Sequence, residues 1–113
     1  MEDTLQYLAG ILDSRGCFVK KYVKRFNKRY VQYQFKLTDK RKKFIHNLAN
    51  CLTSIGIERF CITKYNGVYT LWITDRWTLL KFYTLILPYL KVRNKEIKKF
   101  IRELKKLERK LTL

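Results

Sequence analysis

Few residues in this chain could do covalent chemistry, and their spacing does not assemble a catalytic set. The one histidine, His46, sits amid Lys42, Lys43 and Asn47 on an expected helix and reads as a surface residue. Ser-His-Asp or Cys-His nucleophilic catalysis therefore has little to build on. Cys17, Cys51 and Cys61 are odd in number and contain no C-x-x-C, so neither a disulfide framework nor a zinc site is signalled. Cations are what the chain has in quantity: 26 Lys and Arg against nine Asp and Glu, a net charge of +17. Residues 20–43 hold eleven of them beside one acid, Asp39, and residues 91–110 hold ten more, interspersed with Glu96, Glu103 and Glu108. A folded domain tolerates such self-repulsion most easily when a polyanion is its partner. Nucleic acid is the expected partner; a basic membrane-surface or ribosomal scaffold role is the alternative.

The elements that must position these groups are legible. At 113 residues, 47% hydrophobic and 15% aromatic, the chain has room and material for one folded domain, 1–113. The longest apolar stretch, 79–90, is broken by Lys81 and Pro88, and the acidic opening is unlike a secretory signal, so an intracellular location is expected (cytoplasm, nucleoid or organelle matrix) with no membrane partner. Leu5, Leu8, Ala9 and Leu12 at helical spacing predict a helix over 4–13, with Asp3 or Thr4 as N-cap and Gly16 as stop. Strands are expected at 17–26 and 30–38 about an Asn27-Lys28-Arg29 turn. A second helix, 40–55, is expected to be capped by Thr38 or Asp39 and to end at Gly56, with Phe44, Ile45, Leu48, Leu52 and Ile55 inward. A second hairpin, 58–65 and 68–74, turns about Asn66-Gly67. Asp75 can cap a third helix running to about Leu87, interrupted at Pro88, and a basic helix over 94–110 follows. The fold class is α+β: four antiparallel strands with helices packed on one face, leaving the other face open.

On the second strand Val31, Tyr33, Phe35 and Leu37 alternate with Tyr30, Gln32, Gln34 and Lys36. The first set is core. The second, with Val19, Lys21, Val23 and Arg25 opposite, mixes long donors, amides and a few apolar contacts, as reading base edges in a major groove requires. Arg59, Thr63, Thr70 and Trp72 are weaker contact candidates, because the register of their hairpin is ambiguous.

Leu8-Ala9-Gly10-Ile11-Leu12-Asp13-Ser14-Arg15-Gly16 resembles the LAGLIDADG motif of the homing endonucleases, with identities at Leu8, Ala9, Gly10, Asp13 and Gly16 and an exchanged aliphatic pair between them. The motif stands at the end of the first helix of an αββαββα(α) chain, and Leu87-Pro88-Tyr89-Leu90-Lys91 resembles the family's third-helix ending, so the resemblance covers roughly residues 4–105. It implies a saddle-shaped sheet over DNA and, with one motif, a homodimer on a pseudo-palindromic duplex. The expected dimer interface is Tyr7, Leu8, Ala9, Gly10 and Leu12, with Ala9 and Gly10 permitting close helix approach.

In the family the acid before the final glycine holds a divalent metal at the scissile phosphates. Here that position is Arg15, so no catalytic residue or metal ligand is assigned and no cofactor is expected; Mg2+ enters only if cleavage survives. Arg15 is expected either to meet DNA or to swing into solvent. Asp13, Asp39, Lys43 and Arg93 are the possible remnants of the family's site. The resemblance thus implies sequence-specific double-stranded DNA binding with cleavage lost, as a repressor, an architectural factor or a mobile-element remnant. The alternatives are an active metal-dependent endonuclease relying on Asp13 or Asp39, and an RNA-binding intron maturase.

Overall fold

The structure, a computed structural model, describes residues 2–15 and 17–112. The elements run α1 (Glu2–Arg15), β1 (Cys17–Arg25), β2 (Lys28–Asp39), α2 (Lys42–Ser54), β3 (Cys61–Tyr65), β4 (Val68–Ile73), α3 (Arg76–Ile86), a 3-10 turn (Leu87–Tyr89) and α4 (Asn94–Thr112). The four strands form one antiparallel sheet in the order β1-β2-β4-β3. This is the expected α+β arrangement. Gly16, the expected stop of the first helix, lies outside the described residues.

The core is the alternating face of the sheet against the helices. Phe35 and Leu37 of β2 and Leu71 and Ile73 of β4 are buried with Leu8 and Leu12 of α1, Ile45, Leu48 and Leu52 of α2, Phe82 of α3 and Ile97 of α4. Phe35 meets Phe82 edge-on at 5.4 Å between ring centres, a preferred aromatic geometry.

Local chemistry sets the boundaries. Asp75 caps α3, its carboxylate accepting from the Thr78 backbone N–H at 3.0 Å. Gly56 closes α2 at φ 88°, and the Ile57 N–H reaches back to the Leu52 carbonyl, the 6→1 bond that a left-handed residue after a helix permits. Two expectations need correction. Neither Thr38 nor Asp39 caps α2: the helix begins at Lys42 with Arg41 in the cap position and no side-chain cap, because β2 runs on through Asp39. The first hairpin turns on Phe26-Asn27, both at positive φ (52° and 64°), a two-residue turn whose twist matches that of the strands. Lys28 and Arg29 are therefore strand residues, with Arg25 opposite Lys28.

Only Phe35 to Asp39 of β2 pair with β4. From Val19 opposite Gln34 outward to the turn, the first hairpin projects without a third strand, for about 20 Å at a strand's rise per residue. Arg76 braces its base by donating to the Val31 carbonyl at 3.4 Å. Beyond the helical layer both faces of this arm meet solvent, with Tyr22 67% and Phe26 96% exposed.

Candidate nucleic-acid interface

The face of the sheet away from the helices is assembled by cross-strand register. Val19 stands opposite Gln34, Lys21 opposite Gln32, Val23 opposite Tyr30, and Arg25 opposite Lys28. Partners directly opposite share a face, so the residues expected to read bases lie together on one surface. Lys36 continues it beside Trp72, whose ring centre is 5.8 Å from the Lys36 ammonium. The second hairpin adds a row of threonines: Thr38 opposite Thr70, and Thr70 opposite Thr63. The Thr38 and Thr70 hydroxyls are 3.1 Å apart, and the Trp72 indole N–H donates to the Thr63 hydroxyl at 2.8 Å. Thr63, Thr70 and Trp72 thus join the same face. Arg59 does not: it precedes β3, outside the sheet, and its guanidinium lies 3.9 Å from Asp75.

No Asp or Glu points out of this face among the described residues. Lys21, Arg25, Lys28 and Lys36 supply charge, Gln32 and Gln34 supply amides that both donate and accept, and Val19 and Val23 supply apolar contact. Sequence reasoning missed Lys28, hidden by the misplaced turn, and Thr38, which the pleat parity of Gln34 and Lys36 would have found.

Beside this face, at the end of α1, Arg15, Thr38, Asp39, Lys40, Arg41 and Val68 line an open depression of about 450 Å³. Arg15 does not swing away into solvent: its side chain, still 38% exposed, is held against the end of the sheet. Its guanidinium lies 2.7 Å from the Asp39 carboxylate, donates to the Thr38 carbonyl at 3.1 Å and packs 5.1 Å from the centre of the Phe44 ring. Arg41 takes the rest of the same carboxylate: its backbone N–H and Nε donate to Oδ1 at 2.7 and 3.0 Å, and its Nη2 donates to Oδ2 at 3.0 Å. The hydrogen bonds from Arg41 and, after them, the Arg15 contact hold the Asp39 carboxyl far below the usual range, against the opposing push of desolvation. A carboxylate offers about four acceptor sites, and here four N–H donors face them.

Asp13 is equally committed. Its Oδ2 accepts the Lys91 N–H at 2.8 Å, and its Oδ1 accepts those of Val92 and Arg93 at 3.2 and 3.1 Å. Desolvation raises its pKa, but these backbone donors and the Arg93 charge outweigh it and leave the carboxyl below its ordinary value. Asp13 therefore ties the end of α1 to the segment entering α4. Arg93 turns inward, 5.0 Å from the Phe18 ring centre and 3.7 Å from Glu96, and Lys43 is exposed on the first turn of α2. The residues present do not fit a divalent cation at the motif's end, since both nearby carboxylates have their oxygens engaged by N–H donors. No cluster of three metal-ligating side chains occurs among the described residues.

The expected dimer interface also needs correction. Leu8, Ala9 and Leu12 are buried in the protomer's own core, where the Leu5-Leu8-Ala9-Leu12 stripe meets the other helices. Tyr7 and Gly10 lie on the opposite, open face of α1, and a Cβ built on Gly10 meets no atom within 4 Å.

Comparison with solved structures places the architecture. The homing endonuclease I-CvuI, solved with the I-CreI target in the presence of Mg and with the DNA not cleaved, aligns at a TM-score of 0.83 and 20% identity, covering 95% of this chain and 69% of that one. The homing endonuclease I-TnaI aligns at 0.76 and 24% identity, covering 93% and 74%. The LAGLIDADG homing endonuclease I-GzeII in complex with its DNA target aligns at 0.81 and 16% identity, covering 94% of this chain and 36% of that one. No family model and no curated protein matches the sequence. The chain has the fold of these proteins.

Proposed function

We propose that this chain, which has the LAGLIDADG homing-endonuclease fold, is a sequence-specific double-stranded DNA-binding protein that works as a homodimer and does not cut. The observation that carries the binding is the outward sheet face, where cations and amides share one surface without a carboxylate among the described residues. Lys21, Arg25, Lys28 and Lys36 neutralise phosphates or bond guanine edges, and Gln32 and Gln34 suit adenine edges. The structures similar in fold include complexes with DNA, which supports a duplex as the partner.

Loss of cleavage rests on the Arg15–Asp39–Arg41 cluster. A metal-assisted phosphodiester hydrolase needs carboxylate oxygens free to coordinate a cation, and two guanidiniums occupy Asp39. The same charges suit a phosphate oxygen passing the depression. Homodimer assembly is assigned to the open face of α1, around Tyr7 and Gly10, on a site of matching two-fold symmetry. No helix among the described residues is long and apolar enough to cross a membrane.

The deciding experiment is selection from a randomised duplex library, followed by incubation of the selected duplex with magnesium. A retained, uncut, two-fold-symmetric sequence is the expected result. Metal-dependent cleavage by the wild type would install the endonuclease reading, and preference for structured RNA over every duplex would install the maturase reading.

A further inference from the structure

The second cationic cluster of the sequence is not used by the sheet face. It falls on α4, which packs on the opposite side. Ile97, Phe100, Ile101 and Leu104 form the buried stripe of that helix, and Phe100 meets Tyr33 on the helix-covered side of β2. Lys95, Lys98, Lys99, Arg102, Lys105 and Lys106 are all exposed. At about 100° per residue they fall on the arc opposite the apolar stripe, pointing away from the sheet. They extend along about 16 Å of helix.

The two acids of α4 whose side chains are described, Glu96 and Glu103, lie at the edge of this stripe and have partners off it. Glu103 accepts from Lys20 at 3.0 Å and from the Tyr33 hydroxyl, both on the inward side of the first hairpin. Glu96 faces Arg93 at the start of the helix. Lys95 and Lys99, Lys98 and Arg102, and Arg102 and Lys106 are each four residues apart, so like charges repel along the exposed face. Burial of the apolar stripe holds the helix in spite of that repulsion, and a polyanion would remove it.

We propose that the outer face of α4 binds a second segment of double-stranded DNA through its phosphates while the sheet face holds the first, so that the protein bridges two duplexes. The simultaneous part rests on the reading of the sheet face given above; the α4 site does not. Phosphate contact is favoured because the stripe carries only ammonium and guanidinium groups, with no aromatic to stack a base and no amide to read one. A membrane surface fits less well, because the apolar residues an interfacial helix would insert are already in the core. Once the sheet face is on DNA, neighbouring duplex is present at high effective concentration, which makes a weak second site useful.

The test is a bridging assay. A duplex carrying the selected sequence is immobilised and loaded with protein, and capture of a fluorescent duplex of unrelated sequence is read across a salt series. Lys98→Glu/Arg102→Glu/Lys105→Glu should capture roughly tenfold less of the second duplex and flatten its log–log salt slope by about three units, while the first duplex is held with unchanged sequence preference. The glutamine version at the same positions, checked by circular dichroism, covers the case in which charge reversal disturbs the helix. Undiminished bridging by either folded variant overturns the proposal, as does capture of anionic vesicles or duplex RNA with no capture of DNA. Lys21→Ala/Arg25→Ala/Gln32→Ala separates the two readings. If this sheet variant holds the selected duplex as the wild type does, the sheet-face reading fails, whereas the α4 site is judged on its own by that variant's direct binding of random duplex.

Discussion

Arg15 and Asp39 are 2.7 Å apart, one at the last turn of α1 and the other at the end of β2. The pair welds the motif helix to the sheet at the point where the family resemblance leads one to expect metal chemistry. Arg41 closes the cluster from the other side, so a buried carboxylate sits between two guanidiniums and its negative charge is spoken for.

Arg15→Asp should reverse that arrangement. It removes one counter-ion and sets a second carboxylate against Asp39, and two like charges at such distance raise one of their pKa values. The variant should melt below the wild type at pH 7 and recover part of the loss when millimolar Mg2+ or Ca2+ is added; wild type should not respond to either ion. Nicking of the selected duplex with magnesium is expected in the variant alone. A variant whose melting ignores divalent ions would mean that the depression cannot be turned into a metal site.

Asp13 should behave as a structural anchor. Asp13→Ala leaves the N–H groups of Lys91, Val92 and Arg93 without their acceptor and should cost about 1–3 kcal/mol in urea unfolding. The sign with pH follows from the depressed carboxyls of Asp13 and Asp39. Each contributes stability that is present above its unfolded pKa of about 4 and is lost as pH falls toward the folded value. Wild type should therefore lose stability steadily below about pH 4, and Asp13→Ala should show a shallower loss. Equal slopes would remove Asp13 from the account.

Phe26 holds φ 52° at the tip of the first hairpin with its ring almost wholly exposed. An L side chain in the left-handed region costs about 1 kcal/mol, and asparagine tolerates it better. Phe26→Asn should accordingly stabilise the free protein by about 0.5–1 kcal/mol. If the ring touches DNA, the same variant should bind its duplex more weakly. A stability loss in the absence of DNA would mean that Phe26 is covered in the dimer.

How much could be read from sequence depended on how local the determinant was. The facing set of β2 follows from period-two alternation, and the Asn66-Gly67 turn from residues that accept positive φ, so both were legible. The first turn was not, because Phe26 carries no turn signature and its conformation is imposed by the long ladder on either side. The small residues of the motif allow close approach on either side of a helix. Ala9 would have been assigned correctly only by seeing that it completes the Leu5-Leu8-Leu12 stripe. The role of Asp39 depends on Arg15, 24 positions earlier, and no local pattern reports that contact.

Sequence preference should reside in the first hairpin. Gln32→Ala or Gln34→Ala should relax one symmetric pair of base positions, each losing about 1–3 kcal/mol of discrimination. Lys28→Ala should instead weaken all sequences alike and reduce the salt slope by about one unit. Uniform weakening by the glutamine variants would place those side chains on phosphates.

The open face of α1 yields the sharpest contrast, because adjacent residues should fail in different ways. Ala9 is buried in the protomer, so Ala9→Leu overpacks the core and should cost about 1–3 kcal/mol whatever the oligomeric state. Gly10 faces open space, and its helical backbone accepts any residue without strain. Gly10→Leu should leave the protomer folded, with a slight gain in helix propensity. In a dimer built on this face it would hold the two α1 helices apart, since close helix approach needs small residues at the crossing. Sedimentation should then find a folded monomer that has lost much of its affinity for the symmetric duplex and keeps its affinity for a half-site. A Gly10→Leu protein that still sediments as a dimer would move the interface off α1.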